Sequence, residues 1–542
     1  MTLIEPRIIK ASSGYRGGRL VSRPPLFVWI PAILVLAAMI VPISYLVLRT
    51  IGAGTETFEL IFKPRTFDIL TRSLLLMGSV SIGSILIAVP IGWLTVKTDL
   101  PFRRIFSVIT ILPLVIPSYI GAFILVIFLS PKGILQGWLA PLGIDRLPEI
   151  YGFPGAFLTL TLLTYPYVLL PVRAALIKLD CSTYEASLTL GVTQIQTFIR
   201  ITLPMLRPAI VTGTLLVALY ALSDFGAVSI LHYETFTWAI YIQYGNFARE
   251  VAAALSVVLI ILAISLLYME SRTRGRAKYY NVSTGTHRRQ KSIRLGIWRW
   301  PAVIFCISVV SFSFVMPVSI LVYWVIRGIS FSEQLTIPWS QLGNTLYVSG
   351  LAALVAVAAA LPIAMLSIRY PGRISTLLER CSYIGFALPG IVVALSMVFF
   401  VIRYATPLYQ TLPLLIFSYL ILFLPAALSS INTSFLQVNP KLEEAARILG
   451  RSQLKAFGTI TLPLLIPGLL AGASMVLLLT MKELPATLLL SPIGFKTLAT
   501  SIWWATEDAF FTKAAVPALL LIIVSIIPMT FLVSLDQKRK GS

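Results

Sequence analysis

Long apolar stretches separated by polar segments dominate the chain. A helix needs about 20 apolar residues to cross roughly 30 Å of hydrocarbon. Twelve stretches meet that length, near residues 26–48, 73–96, 105–129, 153–177, 204–231, 251–269, 300–326, 344–368, 382–402, 411–433, 463–490 and 514–535. Because lipid offers no partner to unpaired backbone groups, the pattern predicts an all-α membrane protein with about 12 transmembrane helices.

Composition and charge agree with this class and set an orientation. Of 542 residues, 57% are hydrophobic and 12% are charged, whereas a soluble domain carries about 25% charged residues. The net charge is +22. With the N-terminus inside, most of the excess base falls on the cytoplasmic side, as the positive-inside rule expects. The sequence therefore predicts cytoplasmic N- and C-termini in the lipid bilayer, and it gives no reason to expect nucleic-acid binding.

The chain repeats itself. "AVPIGWL" from Ala88 matches "ALPIAML" from Ala360, and "LVIPSYIGA" from Leu114 matches "FALPGIVVA" from Phe386. Each half has six predicted spans, so both halves enter the membrane from the same side and form two parallel six-helix repeats. The predicted divisions are a cytoplasmic basic segment (1–25), a first permease domain (26–269), a cytoplasmic basic linker (270–299), a second permease domain (300–535) and a cytoplasmic tail (536–542).

One amphiphilic segment interrupts each half on the predicted cytoplasmic side, between its fourth and fifth spans. The copies are "YEASLTLGVTQIQTFIRITLP" from Tyr184 and "EEAARILGRSQLKAFGTITLP" from Glu443. Each predicts two short helices joined at Gly191 or Gly450, since glycine accepts the left-handed backbone found at helix ends. A plain loop with one capped helix is the alternative. It does not explain why the glutamate, glycine and proline recur with identical spacing.

These segments resemble a known signature. The pattern E-A-A-x₃-G-x₁₁-L-P is similar to the loop of ATP-binding-cassette (ABC) importer permeases, with Ser187 as the departure in the first copy. The resemblance implies the type I ABC importer permease fold, and it implies that the segments are ATPase-coupling loops on which two copies of an ABC ATPase subunit dock. The shared residues are Glu185, Ala186, Gly191, Leu203 and Pro204 in the first loop and Glu444, Ala445, Gly450, Leu462 and Pro463 in the second.

The chain itself carries no motif for ATP chemistry. The sequence contains neither a G-x-x-x-x-G-K-[ST] phosphate loop nor an H-E-x-x-H metal site. We therefore expect a transport subunit that is not an enzyme and needs no cofactor, with ATP and Mg bound by the partner ATPase.

Two further stretches narrow the resemblance. "LSDFGAVSILHYETFTWAIYIQY" from Leu222 and "KELPATLLLSPIGFKTLATSIWWAT" from Lys482 are similar to the fused permeases of ferric iron importers. That resemblance implies import of ferric iron across the bacterial inner membrane by ATP-driven alternating access, with a periplasmic iron-binding protein as a partner. Fused permeases for thiamine and for aminoethylphosphonate share the layout, so both substrates stay open as alternatives.

Three ionisable residues fall within predicted spans: Asp224, Lys482 and Glu483. Such a residue costs roughly 2.5–3.5 kcal/mol at a span centre on insertion scales and usually lines a pathway. Asp224 and Glu483 are equivalent in the repeat, and carboxylates suit a small, highly charged cation. Tyr220 shares a helical face with Asp224. We predict a translocation path along these four residues, with transient metal binding by the two carboxylates.

Two alternatives to this path remain open. In the first, Asp224 and Glu483 have a structural role, either capping helix breaks or pairing with Lys482. In the second, the chain is a secondary transporter of parallel six-plus-six design, and the two carboxylates relay protons or sodium. The paired loops favour the ABC permease, because a secondary transporter has no ATPase to dock.

Overall fold

The computed structural model describes residues 26–52, 62–179, 187, 189–274, 292–331, 336–370 and 372–541. These residues form an almost wholly helical protein. The α-helices are α1 Leu26–Gly52, α2 Pro64–Lys97, α3 Arg103–Ile109, α4 Ser118–Leu129, α5 Ile134–Leu139, α6 Phe153–Lys178, α7 Gln194–Thr197, α8 Leu203–Ser223, α9 Gly226–Ile230, α10 Phe236–Gly245, α11 Arg249–Arg274, α12 Arg299–Val310, α13 Met316–Ser330, α14 Trp339–Arg369, α15 Arg373–Ser382, α16 Gly390–Tyr404, α17 Leu412–Phe435, α18 Pro440–Ile448, α19 Gln453–Ala456, α20 Leu462–Met481, α21 Pro485–Leu490, α22 Leu498–Glu507 and α23 Phe511–Gly541.

The predicted number of membrane spans is confirmed. Within the described ranges, 11 helical segments are long and apolar enough to cross a membrane. The segments Arg373–Gly385 and Gly390–Tyr404 pass the same test together and are bent by 103° at the break between them. Counting that bent pair as one span gives 12. The all-α membrane class predicted from the apolar pattern is therefore correct.

Four predicted spans are broken rather than continuous: 105–129, 204–231, 382–402 and 463–490. In the third and ninth spans, Pro117 and Pro389 have extended backbones with ψ of 148° and 141° and precede α4 and α16. Proline lacks the N–H that a continuing helix needs. In the fifth and eleventh spans, the helix ends at Ser223 and Met481, and the short helices α9 and α21 follow. The breaks therefore occupy matching positions in the two halves.

Close helix contacts also repeat. In the first half, a Cβ on Gly213 of α8 would lie 2.6 Å from the Cα of Val168 in α6. In the second half, a Cβ on Gly472 of α20 would lie 3.3 Å from the Cα of Ala427 in α17. Small residues let membrane helices approach closely. The fifth span thus packs on the fourth, and the eleventh on the tenth, through equivalent glycines.

The hydrophobic core is shared between the halves. One buried cluster combines residues of α1 and α11 with residues of α14, α16 and α17. The other combines residues of α12, α13 and α23 with residues of α2, α4 and α6. The first and last spans of each half therefore pack against the opposite half. This exchange makes one membrane body, with the broken helices at its centre.

Candidate functional site

The second loop has the predicted two-helix form. Asn439 caps α18, and its side-chain oxygen accepts a hydrogen bond of 3.0 Å from the backbone N–H of Lys441. Ser452 caps α19, accepting from the backbone N–H of Lys455 at 3.4 Å. Gly450 lies between them with φ of +86°, the left-handed conformation that favours glycine. The prediction that glycine ends the first short helix is confirmed here.

The first loop is described only in part. Glu185 and Ala186, named from the sequence motif, lie outside the described residues. Gly191 has φ of +80°, which matches Gly450. The helix α7 (Gln194–Thr197) follows it, as α19 follows Gly450. The glycine turn and the second short helix therefore recur in both loops.

The end of each loop differs from the prediction. The sequence predicted two short helices in each loop, followed by separate spans that begin near residues 204 and 463. Instead, π-helical turns at Phe198–Thr202 and Phe457–Thr461 lead directly into α8 and α20. Leu203-Pro204 and Leu462-Pro463 begin these spans. A proline ring crowds the carbonyl four residues earlier, and a π-turn widens the helix at that point. Each loop is thereby joined to its span by continuous helix.

The tip of each loop presents apolar side chains. Leu190 and Leu449, which are equivalent in the repeat, are 82% and 84% exposed, and Ile448 is 85% exposed. Glu444 and Ala445 of the signature are also exposed. An open depression of about 540 Å³ lies on the second loop, lined by Glu444, Arg447, Ile448, Arg451, Ser452 and Gln453. Exposed apolar tips of this kind are typical of protein interaction sites.

Ser187, which replaces an alanine of the signature, is accompanied by a second difference between the two loops, at Thr197. Its hydroxyl lies 3.0 Å from the Thr197 hydroxyl, and both residues are buried. The equivalent residues in the second loop are Ala446 and Ala456, which are also buried. The first loop therefore contains a buried pair of hydroxyl groups where the second loop contains two buried alanines. Alignment of the two loop sequences places Thr197 opposite Ala456, so this difference is visible in the sequence.

The central breaks meet in pairs. A Cβ on Gly390 would lie 2.3 Å from the Glu483 carboxylate, so the eleventh span contacts the start of α16. A Cβ on Gly226 would lie 2.8 Å from the Cβ of Tyr119 and 3.3 Å from the Ser118 hydroxyl, so the fifth span contacts the start of α4. Since α4 has 12 residues, about 18 Å of helix separates this contact from the C-terminal end of α4. The contact therefore lies inside the hydrocarbon thickness.

Both carboxylates cap helices at these breaks. Asp224 accepts a hydrogen bond of 2.9 Å from the backbone N–H of Ala227, and Glu483 accepts one of 3.3 Å from that of Ala486. The capping role considered as an alternative in the sequence is therefore present. The Lys482 ammonium donates to the backbone carbonyl of Leu114 at 2.6 Å. Lys482 thus joins the eleventh span to the break in the third span, across the two halves.

Tyrosine hydroxyls add oxygen atoms to this centre. Asp224 and Glu483 lie within electrostatic range of each other, and Tyr220 lies within range of both. The Tyr119 hydroxyl is buried without a hydrogen-bond partner among the described residues, and it is within electrostatic range of Glu483. Sequence reasoning did not select Tyr119 as a site residue. The packing of Ser118 and Tyr119 on Gly226 of the broken fifth span is a long-range contact that the sequence does not show.

Comparison with known proteins places the chain in a family. The family described as "Binding-protein-dependent transport system inner membrane component" matches residues 84–273 and again residues 352–541. The chain belongs to this family of permeases. The double match agrees with the fused two-domain arrangement that the repeated sequence predicted. The chain is thus a multi-pass permease of the inner membrane.

Three relatives show the range of this permease family. A Haemophilus influenzae protein named "Fe(3+)-transport system permease protein FbpB 2" is 36% identical over 94% of this chain and 98% of its own length. The "Ferric transport system permease protein FbpB" of Actinobacillus pleuropneumoniae is 24% identical over 84% of this chain and 69% of its own length. The "Spermidine/putrescine transport system permease protein PotB" of Escherichia coli K12 is 29% identical over 37% of this chain and 74% of its own length.

Proposed function

We propose that this permease imports ferric iron by alternating access, driven by ATP hydrolysis in a separate subunit. The observation that carries the proposal is that two carboxylates at equivalent positions of the repeat, Asp224 and Glu483, each cap a broken helix within a membrane span. The likeness to an Fe(3+)-transport permease over 94% of the chain supports the same substrate.

The translocation path follows from the four breaks. Non-helical backbone at membrane depth is tolerated where it is buried in protein or lines a cavity, and transporter sites typically use broken helices. Asp224 and Glu483 supply negative charge, and Tyr220 and Tyr119 supply hydroxyl oxygens beside them. Hard oxygen donors suit a small trivalent cation. In this proposal the iron is cargo that passes these groups transiently.

Lys482 has a different role on this path. Its bond to the Leu114 carbonyl joins the halves, so a relative movement of the halves must break or shift it. The ammonium also offsets one of the two negative charges nearby, which limits how tightly a cation is held. We propose that Lys482 lowers the affinity of the path enough for the iron to leave it.

In this proposal the loops receive the energy of ATP hydrolysis, because they are where the ATPase docks. We propose that two copies of an ABC ATPase dock on the exposed tips near Leu190 and Leu449, one on each loop. ATP and Mg belong to that subunit, and this chain holds no cofactor. The continuous helices from the loops into α8 and α20 carry the movement to the breaks at Asp224 and Glu483. Both termini and both loops lie on the cytoplasmic side in this proposal, and a periplasmic iron-binding protein docks on the opposite face.

Other substrates fit the centre less well. Aminoethylphosphonate is a zwitterion, and two carboxylates repel its phosphonate group although they attract its ammonium group. Thiamine is a cation and stays as the second candidate substrate, because carboxylates attract it as well. A secondary transporter is disfavoured by the two loops, whose glycine turns have φ of +80° and +86° and whose apolar tips are exposed.

The test uses the permease purified with its ATPase and reconstituted in proteoliposomes. Iron-loaded periplasmic binding protein is expected to stimulate ATP hydrolysis and to support uptake of radio-iron. Thiamine-loaded and aminoethylphosphonate-loaded binding proteins serve as controls and are expected to do neither. Stimulation by one of these controls, with none by the iron-loaded protein, would reject ferric iron as the substrate.

A further inference from the structure

A charged junction connects the second loop to the eighth span. Arg369 ends α14, and its Nε lies 3.6 Å from an oxygen of Glu443 in α18. Both side chains are mostly buried, with 13% and 14% of their surfaces exposed. The same Glu443 oxygen accepts a hydrogen bond of 3.3 Å from Thr461, in the π-turn that begins α20. Glu443 thus contacts both the eighth span and the start of the eleventh.

Neighbouring contacts hold the same elements together. An Arg369 Nη lies 3.5 Å from the Val438 carbonyl, and the guanidinium lies 5.4 Å from the centre of the Phe435 ring. The next residue, Tyr370, accepts a hydrogen bond at its hydroxyl from the Gln453 side chain of α19. Arg369 and Tyr370 therefore connect the end of one span to the tenth span and to both short helices of the loop.

The first half lacks this arrangement in sequence. Lys97 stands at the position of Arg369, and Tyr184 at the position of Glu443. The end of the second span instead forms backbone bonds with the linker: Ile293 donates to the Lys97 carbonyl at 2.9 Å, and Asp99 donates to the Ile293 carbonyl at 3.0 Å. Only the second half therefore has an acid at this position.

The ion pair between Arg369 and Glu443 is longer than a hydrogen bond. The Arg369 Nε is buried and makes no hydrogen bond among the described residues, although Glu443 lies at ion-pair distance from it. A buried donor left unsatisfied is unfavourable, and hydrogen bonds between charged groups are roughly twice as strong as neutral ones. Glu443 is therefore the charged partner of this buried guanidinium, and its loss would leave the charge uncompensated.

We propose that Arg369 and Glu443 are positioning residues that transmit movement of the second loop to the eighth span. The inference rests on the proposed docking of an ATPase on the loops. Glu443 is distinct from the signature residue Glu444, which is exposed and faces the proposed ATPase. Loss of the pair is expected to leave ATPase docking intact and to lower the iron transported per ATP hydrolysed.

The experiment measures uptake and hydrolysis together in proteoliposomes that contain the whole complex and iron-loaded binding protein. Residues that carry coupling of this kind modulate it by energies that correspond to about twofold to thirtyfold changes. Arg369→Gln and Glu443→Gln are each expected to lower the ratio of uptake to hydrolysis by about that factor, while the ATPase still co-purifies. The charge exchange Arg369→Glu with Glu443→Arg is expected to recover part of the ratio. Arg373→Gln, an exposed arginine nearby, is the matched control and should keep the ratio of the unmodified complex.

The outcomes separate this inference from the proposed function. If the unmodified complex does not couple hydrolysis to uptake, the proposed function fails. If it couples and both single variants keep its ratio, the role of the ion pair is wrong. Should the single variants not fold, Arg369→Met with Glu443→Met removes both buried charges, which is often tolerated. An unchanged ratio in that double variant would also overturn the inference.

Discussion

The two halves of this permease share their backbone breaks and differ in the side chains around them. Asp224 lies beside Ser118 in the first half, whereas Glu483 lies against Gly390 in the second. The longer carboxylate thus occurs where its neighbour has no side chain. The loops show the same exchange, with a Ser187–Thr197 pair in one and alanines in the other.

This comparison separates two kinds of feature. The glycine turns, proline breaks and π-turns recur because they set the path of the chain, and that path defines both the loops and the central site. The side chains vary in compensating pairs that preserve volume or hydrogen bonding. The Arg369–Glu443 pair has no such counterpart in the sequence of the first half, and this is why we assign it a separate role.

The largest expected effect comes from removing both central charges. Asp224→Asn with Glu483→Gln keeps side-chain size and removes the attraction for a cation, so radio-iron uptake should be lost. Each single change should weaken uptake, and similar losses would show that the halves contribute alike. Insertion should survive, since a charge within a span costs roughly 2.5–3.5 kcal/mol. Asp508→Asn, an exposed acid, is the control. Full uptake by a folded double variant would show that the two carboxylates do not lie on the translocation path.

Exchanging the side-chain sizes at the break in the second half tests whether the longer Glu483 compensates for the missing side chain at Gly390. Gly390→Ala places a Cβ 2.3 Å from the Glu483 carboxylate, and overpacking of this kind costs about 1–3 kcal/mol. Adding Glu483→Asp to Gly390→Ser reproduces the first-half pair and should recover most of the stability. The thermal unfolding midpoint of the purified permease reports both effects. Equal midpoints for Gly390→Ser alone and for the double variant would contradict the compensation.

The loop glycines test whether the shared backbone turn matters in both loops. Gly191→Val and Gly450→Val each force a branched residue into left-handed backbone, at about 1–2 kcal/mol. Among the described residues, no atom beyond the chain neighbours lies within 4 Å of a Cβ at either position, so the expected strain is that of the backbone. We expect stimulated ATP hydrolysis to fall in both variants. Gly450→Asn should retain more activity, because asparagine tolerates this conformation. Equal activity of the Val and Asn variants would show that stimulated ATP hydrolysis does not depend on the left-handed turn.

The smallest effect is expected at the hydroxyl pair. Ser187→Ala leaves the buried Thr197 hydroxyl without this partner, at about 1 kcal/mol. Ser187→Ala with Thr197→Ala copies the alanine pair of the second loop and should return close to the stability of the unmodified protein. A double-mutant cycle on unfolding midpoints measures the difference. If the two changes simply add, the two hydroxyls do not form a stabilising pair.

Local patterns in the sequence predicted much of this architecture. Apolar length gave the spans, and Gly191 and Gly450 marked the loop turns because glycine has a special backbone preference. The breaks at Asp224 and Glu483 were predicted only as one alternative, in which the two carboxylates cap helix ends, although Gly226 beside the first break and Pro485 beside the second are local signals for a break. The packing of Gly226 on Tyr119 and of Gly390 on Glu483 joins distant parts of the sequence, and no local pattern predicts it.

Glu443 was missed for a different reason. Comparison of the repeats selected Glu444, which aligns with Glu185, and passed over Glu443, which aligns with Tyr184. A usable signal was its spacing of three residues from Ala446, which puts both on one face of α18. That face is buried, as the exposure of Ala446 at 5% shows. Its partner Arg369 is 74 positions away in the numbering, and no local pattern connects the two.

Energy dependence tests the central claim most directly. Radio-iron uptake is measured in proteoliposomes that contain the permease and its ATPase, with iron-loaded binding protein outside and ATP available to the ATPase. The account predicts uptake that requires ATP and the binding protein and that is unaffected by an uncoupler. Uptake that persists without ATP and collapses with the uncoupler would contradict it and would favour a secondary transporter.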